Sequence, residues 1–255
     1  MQYILARAAR PVLARLGNEP TLCAFDFDGT LSPIVSDPAR VRMRQKVRSL
    51  LVLLASRYPC VVISGRARAD LLDKLRGVKV ARVIGNHGAE TERTRQKSRR
   101  RVRQWKVSLE RALHDIPGLW IEDKGLSISV HYRQCSEKME ARRSILKVAR
   151  TLHHVRVFGG KQVVNLVEET APNKGDVLFA EQNRLACKWV LYVGDDVTDE
   201  DAFALADNMV SIRVGRKHTS HARYYLRTQS EIARLLELLC SMRPSRKRIQ
   251  LKGAA

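Results

Sequence analysis

The octapeptide Ala24-Phe25-Asp26-Phe27-Asp28-Gly29-Thr30-Leu31 sets two carboxylates one residue apart where an apolar run ends and a glycine permits a turn. Thr21 to Phe25 reads as a short buried strand, and Gly29 frees the backbone to leave it. Asp26 and Asp28 then share a face at the carboxyl end of the strand, because side chains at i and i+2 point the same way. Two carboxylates so close repel each other unless a cation lies between them or one of them holds a proton. A magnesium ion with a phosphate ester satisfies both conditions. A calcium-type acidic loop or a simple turn is the alternative that these residues alone leave open.

The pattern recurs along the chain. Val61-Val62-Ile63 is a second apolar strand ending in Ser64-Gly65-Arg66, which offers a hydroxyl and a freed backbone amide to a phosphate oxygen. Asn173-Lys174-Gly175 opens a helical stretch, so a lysine lies near a helix N-terminus, where anions are favoured. Val190 to Val193 is a third apolar strand running into Gly194-Asp195-Asp196-Val197-Thr198-Asp199-Glu200, a second carboxylate cluster at a strand end. For Asp199 and Glu200, dipole complementarity in the first turn of a helix is the simpler reading.

This ordered set resembles the haloacid dehalogenase superfamily of phosphatases, with Asp26, Asp28, Ser64, Lys174, Asp195, Asp196 and Asp199 at its motif positions. Gly85-Asn86-His87-Gly88-Ala89-Glu90, Ile121-Glu122-Asp123-Lys124-Gly125-Leu126-Ser127 and His131-Tyr132-Arg133 narrow the likeness to the trehalose-6-phosphate phosphatase family. The likeness runs from about Leu22 to Gly215. It implies a Rossmann-like parallel-sheet core with an inserted smaller α+β cap, and a magnesium-dependent hydrolysis of trehalose 6-phosphate through an aspartyl-phosphate.

In that scheme Asp26 is the nucleophile and Asp28 the acid, then the base. Ser64, Gly65 and Lys174 hold the phosphate. Asp26, the Asp28 carbonyl and Asp195 hold the magnesium, with Asp196 and Asp199 in support. Arg66, Asn86, His87, Glu122, Lys124, His131 and Arg133 face the sugar. One position departs from the family: Asn165 stands where a sugar-binding glutamate is usual, so either Glu168 takes over through a shifted register or that contact is lost. Another phosphorylated sugar or glycoside is the alternative substrate, and a non-catalytic sugar-phosphate or polyanion-binding relative ranks below it.

The texture of the chain divides it into core (1–92), cap (93–170), core (171–242) and a basic tail (243–255) expected to be disordered. Within the cap, Arg99 to His114 and Ser136 to Leu152 read as helices. Leu119 to Tyr132 reads as a hairpin turning near Asp123-Lys124-Gly125, and Val155 to Val167 as another around Gly159-Gly160. The net charge of +21 gathers in Arg93, Arg95, Lys97, Arg99, Arg100, Arg101, Arg103 and Lys106, and again in Arg243, Arg246, Lys247, Arg248 and Lys252. No nucleic-acid module or aromatic platform accompanies these charges, so they read as a solvated surface that draws in an anionic small molecule rather than as a nucleic-acid footprint. Five dispersed cysteines read as reduced thiols. No run is long and apolar enough to span a bilayer. A cytoplasmic monomer acting on a small sugar phosphate is expected. Met1 to Leu16, basic and amphipathic, reads as a helix docked beside the first strand, with a membrane-surface helix or targeting peptide as the alternative.

Overall fold

The structure, a computed structural model, describes residues 1–35, 37–90, 96–205 and 208–243, with residues 38 and 96–98 described in backbone only. Before the cap come β1 (Gln2–Tyr3), α1 (Arg10–Asn18), β2 (Thr21–Phe25), α2 (Gln45–Ala55), β3 (Cys60–Ile63), α3 (Arg68–Lys74) and β4 (Arg82–Ile84). The cap elements are α4 (Gln96–Leu113), β5 (Trp120–Asp123), β6 (Ser127–His131), α5 (Lys138–Ala149), β7 (Val155–Gly160) and β8 (Val163–Glu168). The chain then returns through α6 (Lys174–Arg184), β9 (Trp189–Gly194), α7 (Glu200–Phe203), β10 (Met209–Val214), β11 (Tyr224–Leu226) and α8 (Ile232–Met242).

Every residue of β2 is buried, as a central parallel strand requires. Its Cys23 and Phe25 face the cluster built with α1, α2, α3 and α8, and Leu22 and Ala24 face the cluster built with α6 and α7. Each buried Leu, Ile, Val or Phe contributes about 1.5–3 kcal/mol of transfer free energy, so the alternation along β2 anchors both layers. The seven strands run parallel in the order β1-β11-β10-β9-β2-β3-β4. Strand succession departs in opposite directions from β2. The crevice beyond the carboxyl ends of β2 and β9 is therefore the switch point where an open α/β sheet receives its ligand.

The cap is a four-stranded antiparallel sheet in the order β5-β6-β8-β7. One face carries Ile121, Ile128, Val130, Val164 and Leu166, packed with Val102, Trp105 and Leu109 of α4 and Ile145 of α5. The other face carries Trp120, Glu122, Ser129, His131, Val163 and Asn165, all of which line the cavity over the core.

Three expectations need correction. The second cap hairpin turns at Lys161 and Gln162, not at Gly159-Gly160, which stay paired with Val164 and Val163; Gln162 takes the positive φ of 61° that a glycine was expected to supply. The N-terminal segment does dock, through Leu13 and Leu16 of α1, but the residues before α1 add β1 to the edge of the sheet, too short a strand to carry a period. Arg243, assigned to the tail, is docked: its guanidinium donates to the carbonyl of Gly17 at 3.0 Å and lies 4.5 Å over the Tyr58 ring. Arg93, Arg95, Arg246, Lys247, Arg248, Lys252 and the side chain of Lys97 lie outside the described residues. All five cysteines are buried and unpaired. Among the described residues no helix is long and apolar enough to cross a membrane.

Candidate active site

Asp26 leaves β2 into the switch-point crevice, where Lys174, the first residue of α6, meets it. Lys174 Nζ donates to Asp26 Oδ1 at 3.0 Å and to Asp199 Oδ1 at 2.6 Å, with the lysine only 2% exposed. Burial lowers the pKa of this lysine, but the charges of Asp199 and Asp26 more than offset it and hold the pKa above the ordinary value. Asn173 caps α6 in a reciprocal box with Asp176, which fixes where Lys174 enters the crevice.

Asp199 is fully buried and fully used. Its Oδ1 accepts from Lys174 and from the Tyr192 hydroxyl at 2.6 Å, and its Oδ2 accepts the backbone N–H groups of Asp195 and Asp196, both at 2.8 Å. Those partners outweigh burial and lower its pKa. Dipole complementarity is thus a small part of what Asp199 does. Glu200 likewise accepts from Arg213 at 2.9 Å, and Arg213 donates to the carbonyls of Asp195 and Asp196, pinning the loop after β9.

Oxygens of Asp26, Asp195 and Asp199 lie within 4.8 Å of one another. With Asp199 saturated, Asp26 and Asp195 are left with excess negative charge. Burial, then the remaining carboxylates, push Asp26 well above the carboxylate range, and burial with the Asp199 charge pushes Asp195 up to about 6. Hard oxygen donors whose repulsion is uncompensated fit a divalent cation. Lys161, on the turn between β7 and β8, supplies part of the missing charge, its ammonium 2.7 Å from Asp195 Oδ2. Gly29, at a φ of 80°, makes room for this cluster, since a Cβ there would stand 2.3 Å from Asp195 Oδ2.

Asp28 faces the cavity but is held by Arg66, whose Nε and terminal nitrogen each donate to one carboxylate oxygen at 2.7 Å. Arg66 also reaches Asp70 at 2.7 Å. Ser64, 1% exposed, and Gly65 line the cavity beside them. Gly65 is covered so closely by the His87 ring that a Cβ there would lie 2.3 Å from its Cε1.

Of the sugar-facing candidates, His87, Glu122, Lys124, His131 and Arg133 line the cavity with Arg66, and Asn86 does not. Asn86 is fully buried in the joint between core and cap, where its amide donates to Glu90 Oε2 at 2.6 Å and to the Lys124 carbonyl at 3.3 Å, and its oxygen accepts from Ser127. His87 sits edge-on to Phe158 of β7 with ring centroids 4.9 Å apart, and neither ring nitrogen has a hydrogen-bond partner. Burial, then the charges of Lys124 and Lys174, lower its pKa and keep it neutral. His131 and Lys124 converge on Glu122 at 3.0 and 3.5 Å, and Lys124 reaches back to the Gly65 carbonyl at 3.0 Å. Burial tends to raise Glu122, but these two partners bring it below its ordinary value.

Asn165 lines the cavity and accepts from Ser129 Oγ at 2.6 Å. Glu168 does not replace a missing carboxylate there. It lies three residues along the same strand, hence on the opposite face, where it pairs with Arg101 of α4. Of the two alternatives for this position, the shifted register is the one that the pairing of Glu168 with Arg101 rules out.

Sequence reasoning missed Lys161, Tyr192 and Trp120. Lys161 was hidden by placing the turn on the glycines before it, Tyr192 reads as one more core residue of an apolar strand, and Trp120 sits in a strand too short to show which face it takes.

A parallel sheet that reverses order about β2, an inserted antiparallel cap and carboxylates at the switch point together define a fold of the haloacid dehalogenase class. The trehalose-phosphatase family pattern matches residues 24–232, and the chain belongs to that family. It is 32% identical over 194 residues to the trehalose-phosphate phosphatase of Mycobacterium tuberculosis (strain ATCC 25618 / H37Rv), an alignment covering 70% of this chain and 49% of that protein. The chain therefore spans about half the length of the curated relatives it matches. Among solved structures, the C-terminal domain of C. albicans trehalose-6-phosphate phosphatase superposes with a TM-score of 0.75 at 23% identity, over 92% of this chain and 98% of that one, a likeness of fold. A trehalose-6-phosphate phosphatase related protein superposes with a TM-score of 0.72 at 25% identity, over 87% and 97%.

Proposed function

We propose that this chain is a magnesium-dependent phosphatase that hydrolyses trehalose 6-phosphate to trehalose and phosphate through an aspartyl-phosphate on Asp26. The observation that carries the reading is the convergence of Asp26, Lys174, Ser64 and Asp195 on one cavity of about 610 Å³, roofed by the polar face of the cap sheet. That volume falls within the about 300–1,000 Å³ typical of small-molecule sites.

Asp26 attacks phosphorus, and the sugar oxygen leaves with a proton from Asp28. Asp28 then takes a proton from the water that cleaves the acyl phosphate, which releases phosphate and restores Asp26. Each oxygen of Asp28 accepts one hydrogen bond from Arg66, which orients the carboxyl and leaves each oxygen a second lone pair for the proton. Ser64, the Gly65 amide and Lys174 hold the phosphoryl oxygens as charge redistributes. Asp26, the Asp28 carbonyl and Asp195 would hold a magnesium ion, which when bound would supply further positive charge to offset the negative charge of the phosphoryl group. Glu122, Lys124, His131 and Arg133 bind sugar hydroxyls, and the cap keeps stray water from the acyl phosphate. The sequence boundaries 93–170 delimit the cap, whose described part begins at residue 96, as a unit inserted into the core.

Asn165 favours a second reading, a phosphatase for another phosphorylated glycoside, because an amide accepts hydroxyl hydrogen bonds less strongly than the carboxylate it replaces. The test is phosphate release from trehalose 6-phosphate, glucose 6-phosphate and other phosphorylated glycosides, with magnesium and with chelator. Chelator-sensitive preference for trehalose 6-phosphate supports the first reading. Equal or faster release from another ester moves the substrate, and no release from any ester in magnesium refutes both.

A further inference from the structure

Trp120 is a large apolar side chain left 51% exposed, and it lines the same cavity as the carboxylates. It is not loose. Its ring stacks on His131, with centroids 4.6 Å apart and planes at 21°, and His131 is fixed in turn by Glu122 at 3.0 Å. Trp120 opens β5, the outer strand of the cap sheet, and its register partner is His131. The row continues through Val163 to Gly160. Lys161 follows Gly160 and reaches Asp195. Three inter-strand steps of about 4.8 Å therefore place the Trp120 backbone about 14 Å across the roof from the strand end that touches the carboxylate cluster.

A half-exposed indole backed on one face is a surface that gains from being covered. Pyranose rings supply the complement, a flat face of C–H groups edged by hydroxyls. Around the indole, Glu122, Arg133 and Gln134 line the same cavity and offer partners for those hydroxyls, and Gly118 contributes no side chain to fill the space. Ile34, 47% exposed on the loop after β2, lines the same cavity. A substrate with its phosphate at Asp26 would leave the Trp120 rim, about 14 Å from the carboxylate end of the roof, for a second sugar ring.

On the reading of the site as a trehalose 6-phosphate phosphatase, we infer that Trp120 is the platform for the second, unphosphorylated ring, and so the residue by which this site favours a disaccharide phosphate over a monosaccharide phosphate. Of the other cavity-facing roof residues, Glu122, Ser129 and Asn165 are polar, Val163 offers only an aliphatic branch and one face of the His131 ring is covered by Trp120 itself, while Phe158 is turned against His87.

The experiment compares wild type, Trp120→Ala and Trp120→Phe on trehalose 6-phosphate and glucose 6-phosphate in magnesium, with thermal midpoints and the tryptophan emission of each protein titrated with trehalose. Trp120→Ala is expected to raise KM for trehalose 6-phosphate about 3- to 10-fold, the worth of one aromatic contact. Its kcat and its glucose 6-phosphate kinetics stay near wild type, and Trp120→Phe recovers part of the loss. Trehalose shifts the emission of wild type and not of Trp120→Phe. If Trp120→Ala retains the disaccharide preference of wild type, or loses activity on both esters in parallel with its melting temperature, the platform is refuted while the proposed function stands. A wild type that shows no preference for trehalose 6-phosphate overturns the proposed function and the platform with it.

Discussion

The ammonium of Lys161, on a cap turn, lies 2.7 Å from the carboxylate of Asp195 at the end of a core strand. A cation bound to Asp195 has to compete with that charge. Lys161→Met should therefore tighten magnesium binding about 2- to 5-fold, the range of a half-exposed ion pair. Isothermal calorimetry on the two proteins checks this, and weaker binding in the variant would show that Lys161 helps to build the cation site instead.

Asp26→Asn should lower phosphate release at least about 1000-fold, as loss of a nucleophile does, while circular dichroism and the melting curve stay close to wild type, because Asp199 still pairs with Lys174. Lys174→Met is a different case. It leaves Asp26 and Asp199 buried without their cation, and removal of one partner of a buried pair costs about 3–5 kcal/mol. A Lys174→Met protein as stable as wild type in chelator would show that the pair carries less than its burial implies.

The Asp195 carboxyl titrates at about 6 in the folded chain against an ordinary 3.8. Between those values the folded, cation-free protein binds more protons than the unfolded chain. The Asp195 contribution to stability is thus complete below that window and is lost as pH rises through it. In chelator, the melting temperature of wild type should fall relative to Asp195→Asn as pH rises from about 4 to about 6. Magnesium affinity should run the opposite way and weaken as the carboxyl takes up its proton. A wild type that gains stability relative to Asp195→Asn across that window has the wrong sign for this account.

Tyr192→Phe removes the hydroxyl that donates to Asp199 Oδ1 in a fully buried setting. The carboxylate left one partner short should cost about 1–3 kcal/mol. Because Asp199 also orients Lys174, kcat should fall with KM little changed. Denaturant melts and steady-state kinetics read the two effects separately, and full kcat would limit Tyr192 to packing.

Glu168→Gln should leave the ratio of trehalose 6-phosphate to glucose 6-phosphate turnover unchanged, since Glu168 faces α4 and pairs with Arg101. A change in that ratio, measured by phosphate release, would return Glu168 to the sugar site.

The haloacid dehalogenase core was legible in the chain because its signals are local. Buried parallel strands are apolar runs, the carboxylates and the hydroxyl directly follow such runs, and Asn173-Lys174-Gly175 announces a helix start that carries the lysine. The order of these motifs along the chain therefore already groups Asp26, Ser64, Lys174 and Asp195. What the chain could not disclose was facing and reach. The period of a strand is two, so one step of register decides whether Glu168 or Asn165 looks into the cavity, and only strand pairing sets that step. The turn moved from Gly159-Gly160 to Lys161-Gln162 for the same reason, and with it a lysine came to rest on Asp195. Tyr192 on Asp199, Arg66 on Asp28 and Trp120 beside His131 are contacts between segments that only the folded chain brings together. Short-range patterning determined the sheet and its chemical equipment, and tertiary packing decided which of those groups are paired, which are left charged and which surface remains for a sugar to cover.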